Sequence, residues 1–183
     1  SPLMVACAEN HPRVVSALLN YIGLEVNHAG ELGETAVFIA SQRNHSHIVA
    51  MLLATRGILV NRASSCGATP LHIACERGHD RVAKMLLESK TGVDVNAVTL
   101  DGAQTPLYLA CAGGHAAVVQ VLLTEPGIDV NMAASKIVGG MTPLYLAAWH
   151  GFADIVSMLL HSDRGIDVDK ARGNGWSPLF IAQ

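Results

Sequence analysis

Apolar pairs set four residues apart recur along the chain. They are Val14-Val15 with Leu18-Leu19, Ile48-Val49 with Leu52-Leu53, Val82-Ala83 with Leu86-Leu87, Val118-Val119 with Leu122-Leu123, and Ile155-Val156 with Leu159-Leu160. That spacing lays both pairs on one stripe of an amphipathic helix. Thirteen residues upstream of each first pair, a second pattern begins. It reads Ser1-Pro-Leu-Met-Val-Ala-Cys7, Thr35-Ala-Val-Phe-Ile-Ala-Ser41, Thr69-Pro-Leu-His-Ile-Ala-Cys75, Thr105-Pro-Leu-Tyr-Leu-Ala-Cys111 and Thr142-Pro-Leu-Tyr-Leu-Ala-Ala148, with a sixth copy at Ser177-Pro-Leu-Phe-Ile-Ala-Gln183. Starts at 1, 35, 69, 105, 142 and 177 lie 34, 34, 36, 37 and 35 residues apart. Two registers repeating in phase define a repeat architecture in which each unit is one supersecondary element.

Each unit reads as helix, turn, helix, extended loop. Thr or Ser before Pro is a helix start: the hydroxyl caps free backbone N–H groups and proline suits the first helical position. The first helix should end at Asn10, Asn44, Gly78, Gly114 or Gly151, residues that tolerate the left-handed conformation. After the second helix come Gly-Leu-Glu-Val-Asn27, Gly-Ile-Leu-Val-Asn61, Gly-Val-Asp-Val-Asn96, Gly-Ile-Asp-Val-Asn131 and Gly-Ile-Asp-Val-Asp169, read as an extended arm entering a tight turn. In the second unit Ala36 and Val37 replace the usual Pro-Leu, so its first helix is expected to start less sharply.

The Thr-Pro-Leu-His segment at 69–72, the Gly78-His79 step, the double leucines and the Asp-Val-Asn arms resemble ankyrin repeats. Tetratricopeptide repeats share the 34-residue step but lack this capping and the arm. The resemblance implies an all-α ankyrin-repeat solenoid of helix-turn-helix units joined by extended β-hairpin-like arms. It spans residues 1–183 as a single array, with units starting at 1, 35, 69, 105 and 142 and a partial unit at 177. Family units usually run 33 residues; the extra ones here fall at 89–91 and 133–141, in expected loops. The chain opens at a helix cap and stops before a sixth second helix, so a fragment of a longer array is expected.

Composition narrows the class. Half the residues are hydrophobic, 15% are charged and only 4% are aromatic, so the core should be aliphatic and alanine-rich. A net charge of −3 offers no basic stripe for nucleic acid, and no apolar run approaches a membrane span. A monomer in a reducing intracellular, cytoplasmic setting is expected. Cys7, Cys75 and Cys111 share one position in their units and should be about one helix-packing distance apart, roughly 8–10 Å, too far for a disulfide. They read as core fillers, whereas Cys66 falls in an exposed turn. His11, His45, His79 and His115 recur where each second helix begins, with Phe152 in the fifth unit. One histidine per unit is too dilute for zinc; a ring-nitrogen bond to loop backbone is expected instead. His72 should hydrogen-bond Thr69 within the cap. No phosphate loop or nucleophile motif is present, so no catalytic residue, cofactor or metal is assigned.

The resemblance further implies recognition of another protein through a concave face of arm tips and first helices. Carried onto this sequence, those positions are Glu34, Ala68, Gln104 and Met141 on the arms, and Ala8, Glu9, Gln42, Arg43, Glu76, Arg77, Ala112, Gly113, Trp149 and His150 on the helices. Trp176 precedes the sixth start. Trp149, His150 and Trp176, with Met141 at the rim, form the expected apolar anchor; Glu9, Gln42, Arg43, Glu76 and Arg77 form a polar flank. The alternative function is a targeting or regulatory module of a larger enzyme, a kinase or ubiquitin ligase, with its chemistry elsewhere. A third is a mechanical spacer with no saturable partner.

Overall fold

The computed structural model describes residues 1–89 and 91–170. Among them lie ten α-helices, in pairs, and no strand. The first helices are α1 Pro2–Ala8, α3 Ala36–Gln42, α5 Pro70–Glu76, α7 Pro106–Ala112 and α9 Pro143–Trp149. The second helices are α2 Pro12–Leu19, α4 Ser46–Leu53, α6 Asp80–Glu88, α8 Ala116–Leu123 and α10 Ala153–Leu160.

Buried threonines start the first helices. Thr35, Thr69, Thr105 and Thr142 accept from the N–H three residues on, at 3.3, 3.4, 3.1 and 3.1 Å. The second unit is no exception: α3 is capped in the same register and has the same length as its neighbours, so the less sharp start expected there does not occur. The Thr35 hydroxyl alone sets the boundary, without proline. Asn10, Asn44, Gly78, Gly114 and Gly151 all take positive φ, from 56° to 72°, and close the turn into the second helix as expected.

Each first helix packs on the next first helix and on its own partner, and each second helix packs on the next second helix. A single apolar core runs through the stack from Leu3 to Leu159, carried by the paired valines, isoleucines and leucines and by small residues such as Ala40, Ala74 and Ala110. Ser41 sits in this core at 0% exposure with no partner for its hydroxyl, at the position held elsewhere by Cys7, Cys75 or Cys111.

Three further bonds tie neighbours together. The asparagine ending each Gly-x-x-Val-Asn segment reaches sideways into the next unit. Asn61 donates to Gly92 O (2.7 Å) and accepts from Asp94 N (3.0 Å). Asn27, Asn96 and Asn131 repeat both bonds, to Gly57 and Leu59, Gly127 and Asp129, and Gly165 and Asp167. Beyond these asparagines the arms are hairpin turns closed by bonds such as Ser64 N to Ala68 O (2.9 Å) and Ala134 N to Met141 O (3.0 Å). Consecutive arms meet through one backbone bond each: Ser65 N to Leu32 O, Leu100 N to Cys66 O and Ser135 N to Gly102 O, all 2.8 Å. Gly33 and Gly67, at φ 80° and 83°, permit that approach, since a Cβ would stand 2.9 Å from Ser65 N or 2.7 Å from Leu100 N. One bond per pair is too few for a strand.

At 133–141 the extra residues are absorbed as loop. The insertion at 133–141 holds a 3-10 turn, Lys136–Val138, with Ile137 exposed at its tip.

Two stability changes are expected. Asn96→Ala removes two bonds between units and should cost about 1–2 kcal/mol, read as a lower midpoint in urea. Ser41→Ala removes an unpartnered buried hydroxyl and should raise that midpoint, by about 1 kcal/mol of stability; a lowered midpoint would show that the hydroxyl is satisfied.

Candidate protein-binding face

Arms and first helices meet: Met141 packs with Leu109 and Ala112 of α7 and Leu146 of α9, and Gln104 O lies 3.1 Å from His72 Nε2 of α5. The cap, the second-helix interface and the next first helix consume most positions of each first helix. The residues at its last turn and its closing cap remain available. Along the units these read Ala8-Glu9, Gln42-Arg43, Glu76-Arg77, Ala112-Gly113 and Trp149-His150.

The structure places the expected site residues as follows. Glu9, Arg43, Glu76, Arg77, Trp149 and His150 are exposed, and Gln42, Gln104 and Met141 are half-buried. Trp176 lies outside the described residues. Trp149 remains 52% exposed although its ring stacks on the buried ring of Tyr145, centroids 6.2 Å apart and 14° from parallel. His150 instead stacks on Phe152 at 5.6 Å, in the turn that follows. Met141 packs on a small apolar cluster of Tyr108, Ala134 and Leu146, separate from the main core, together with Leu109 and Ala112. Leu146 lies one helical turn before Trp149. Ala112 was among the expected face positions; Leu109 was not, and its type, common in any core, gives no signal of a surface.

The histidine column bonds across units and not within them. His45 Nδ1 is 2.8 Å from Cys7 O, His79 Nε2 3.2 Å from Gln42 O, and His115 Nε2 2.9 Å from Glu76 O. The acceptors are carbonyls at the C-terminal end of the preceding first helix, which lack partners within the helix. The expected loop-backbone acceptor is thus replaced by a helix end one unit back.

His72 does meet Thr69, and it also ties the cap of its unit to the arm that follows the second helix. Its Nδ1 accepts from Thr69 N (3.1 Å) and lies 2.8 Å from the Thr69 hydroxyl. That leaves Nε2 to carry the proton and donate to Gln104 O, 3.1 Å away on the next arm. Burial lowers its pKa, opposed by the Gln104 and Ala97 backbone and by Asp94. The imidazole is therefore held neutral.

Cys7, Cys75 and Cys111 are buried free thiols, and Cys66 is exposed, as expected. Burial pushes Cys7 up to about 12 and the other two higher still. Among the described residues no group of three or more His, Cys, Asp or Glu side chains could hold a metal ion. No helix among them is long and apolar enough to cross a membrane.

A family model described as ankyrin repeats (3 copies) matches residues 3–99 and 91–172. This chain belongs to the ankyrin-repeat family. Comparison with curated proteins gave no match. Ankyrin repeats are protein-interaction modules, and the all-helical stack described above is an ankyrin solenoid without sheet.

The His72 bridge carries a pH dependence. Its folded pKa lies below the unfolded value, so the unfolded chain takes the proton first as pH falls. The bridge contributes fully above about pH 6.5 and is lost progressively below it. Melting temperature measured between neutral and mildly acidic pH should fall more steeply in the natural chain than in His72→Gln. Parallel curves would remove His72 as the cause.

Proposed function

We propose that this ankyrin array binds another protein through its arm tips and first helices, with Trp149 as the central anchor. The observation that carries the reading is Trp149 itself. A large aromatic side chain stands half in solvent, steadied from beneath by Tyr145, on the face whose residues change most between otherwise uniform units. Such a ring buries much area at small entropic cost, because stacking already restricts it. The neighbouring face is preorganised: the histidine and asparagine bridges fix its backbone before any partner arrives.

We read residues 1–183 as one array whose sixth unit begins at Ser177. It acts as an interaction module and not as an enzyme, on its own or as the targeting part of a larger kinase or ubiquitin ligase. Its buried free thiols suit a reducing intracellular setting, and the monomer is the form in which the face is open.

Pull-down with the natural chain and with Trp149→Ala, matched in helical circular dichroism, tests the reading. A protein held by the first should be lost at least roughly tenfold by the second, as expected for a hot-spot residue. Equal retention would remove Trp149 as the anchor.

A further inference from the structure

The outer face of the first unit is built like an inner one. Val14 is 48% exposed, whereas Ile48, Val82, Val118 and Ile155, at the same position in the following units, are 0, 0, 0 and 1% exposed. Leu18 is half-buried where Leu52, Leu86, Leu122 and Leu159 are fully buried. Val5 stands open as well, in a column where Ile73 and Leu146 are buried. These columns are sealed more fully wherever a unit precedes. A terminal unit facing water carries a polar outer surface; this one carries Val5, Val14, Tyr21 and Ile22, the last at 94% exposure.

Polar groups on that face are open in the same register. His45, His79 and His115 each bond a carbonyl near the end of the preceding first helix. His11 holds the same position, is exposed, and its ring meets no carbonyl among the described residues. Each arm asparagine fills a glycine carbonyl and the N–H two residues on, in the next unit. The matching pair in the first unit, Gly23 O and Glu25 N, is unfilled among the described residues. The residue before the arm glycine also looks back: Arg164 bonds Pro126 O and Leu123 O of the fourth unit. Its counterpart in the first unit is Ile22, preceded by Tyr21. A helix-end carbonyl, an asparagine amide and an apolar helix face would satisfy the whole set.

We propose that this face seats a further ankyrin unit, placed ahead of Ser1 in the same polypeptide. Its second helix covers Val14 and Leu18, the carbonyl ending its first helix accepts from His11, and its arm asparagine bonds Gly23 O and Glu25 N. Tyr21 and Ile22 stand where other units have Thr55-Arg56, Glu125-Pro126 and Asp163-Arg164, so the tail of the covering second helix is apolar. A second copy of the described chain does not fit. Its four arm asparagines are engaged within its own stack, and the fifth arm ends in Asp169, whose carboxylate has no N–H for Gly23 O. A unit joined through its own arm is also held at high effective concentration, so docking needs no separate association step.

Sequencing the natural polypeptide ahead of Ser1, and comparing the extended chain with residues 1–183, tests this. Asn27, Asn61, Asn96 and Asn131 stand 8, 8, 9 and 11 residues before Thr35, Thr69, Thr105 and Thr142. An asparagine closing a Gly-x-x-Val segment is therefore expected 8 to 11 residues before Ser1. Val14→Asp puts a carboxylate in the first turn of α2, which suits an open helix start but not a covered one. It should lower the urea midpoint of the extended chain and leave that of residues 1–183 nearly unchanged. Amides of α2 should exchange at least roughly tenfold more slowly in the extended chain. If Val14→Asp keeps the extended chain from folding, His11→Ala, which removes a single bond, carries the same comparison. An upstream sequence without the pattern, or substitutions that cost the same in both chains, overturns the proposal. So does a dimer of residues 1–183 that Val14→Asp dissociates, which would give the face to a second copy.

Discussion

Burial of the aliphatic stripe between units is the interaction on which everything else depends. Helices of seven to nine residues are too short to persist alone in water. A pair of them has two apolar faces and no interior of its own. Only when Val82, Leu86 and Leu71 are covered from both sides does a core exist, and here it runs unbroken along the stack. Both helices of a unit share this burial, Leu71, Ala74 and Cys75 on the first and Val82, Ala83 and Leu86 on the second, and it releases the first helix only at its last turn, where Glu76 is exposed. That release is what lets Gln42, Glu76, Ala112 and Trp149 differ while their surroundings stay the same.

The polar bonds then set how accurately units are placed. Each asparagine amide fills two backbone sites of its neighbour, and each imidazole meets a helix-end carbonyl that would otherwise need water. These groups are spent on geometry, and among the described residues no three or more His, Cys, Asp or Glu side chains gather where a metal ion could be held. A surface held this way meets a partner with little left to order.

What could be read from the sequence was local. The threonine caps, the left-handed closing residues, the paired apolar stripes and the buried cysteine position each follow from a residue and its near neighbours. What could not be read involved a second unit. Asn61 looks like a turn residue until the Gly92 carbonyl is placed beside it, and His79 looks like a loop ligand until Gln42 O is found above it. The arm tips also resisted. Gly33 and Gly67 hold the left-handed tip in two arms, yet in the third Ala103 takes it at φ 49° although Gly102 is adjacent. Arm-to-arm bonding fixes that register, with Gly102 O already taken by Ser135 N. Exposure of Trp149 was anticipated, but its support on Tyr145 needed coordinates.

The buried thiols bear on endurance. Oxidants and alkylating agents attack the thiolate, and Cys7, Cys75 and Cys111 are both sealed from solvent and held protonated far above neutral pH. Cys66 alone is open, at an arm tip where a modification displaces no core atom. Thiol oxidation in this solenoid would therefore be confined to its rim, leaving the stack itself to wear out by other routes.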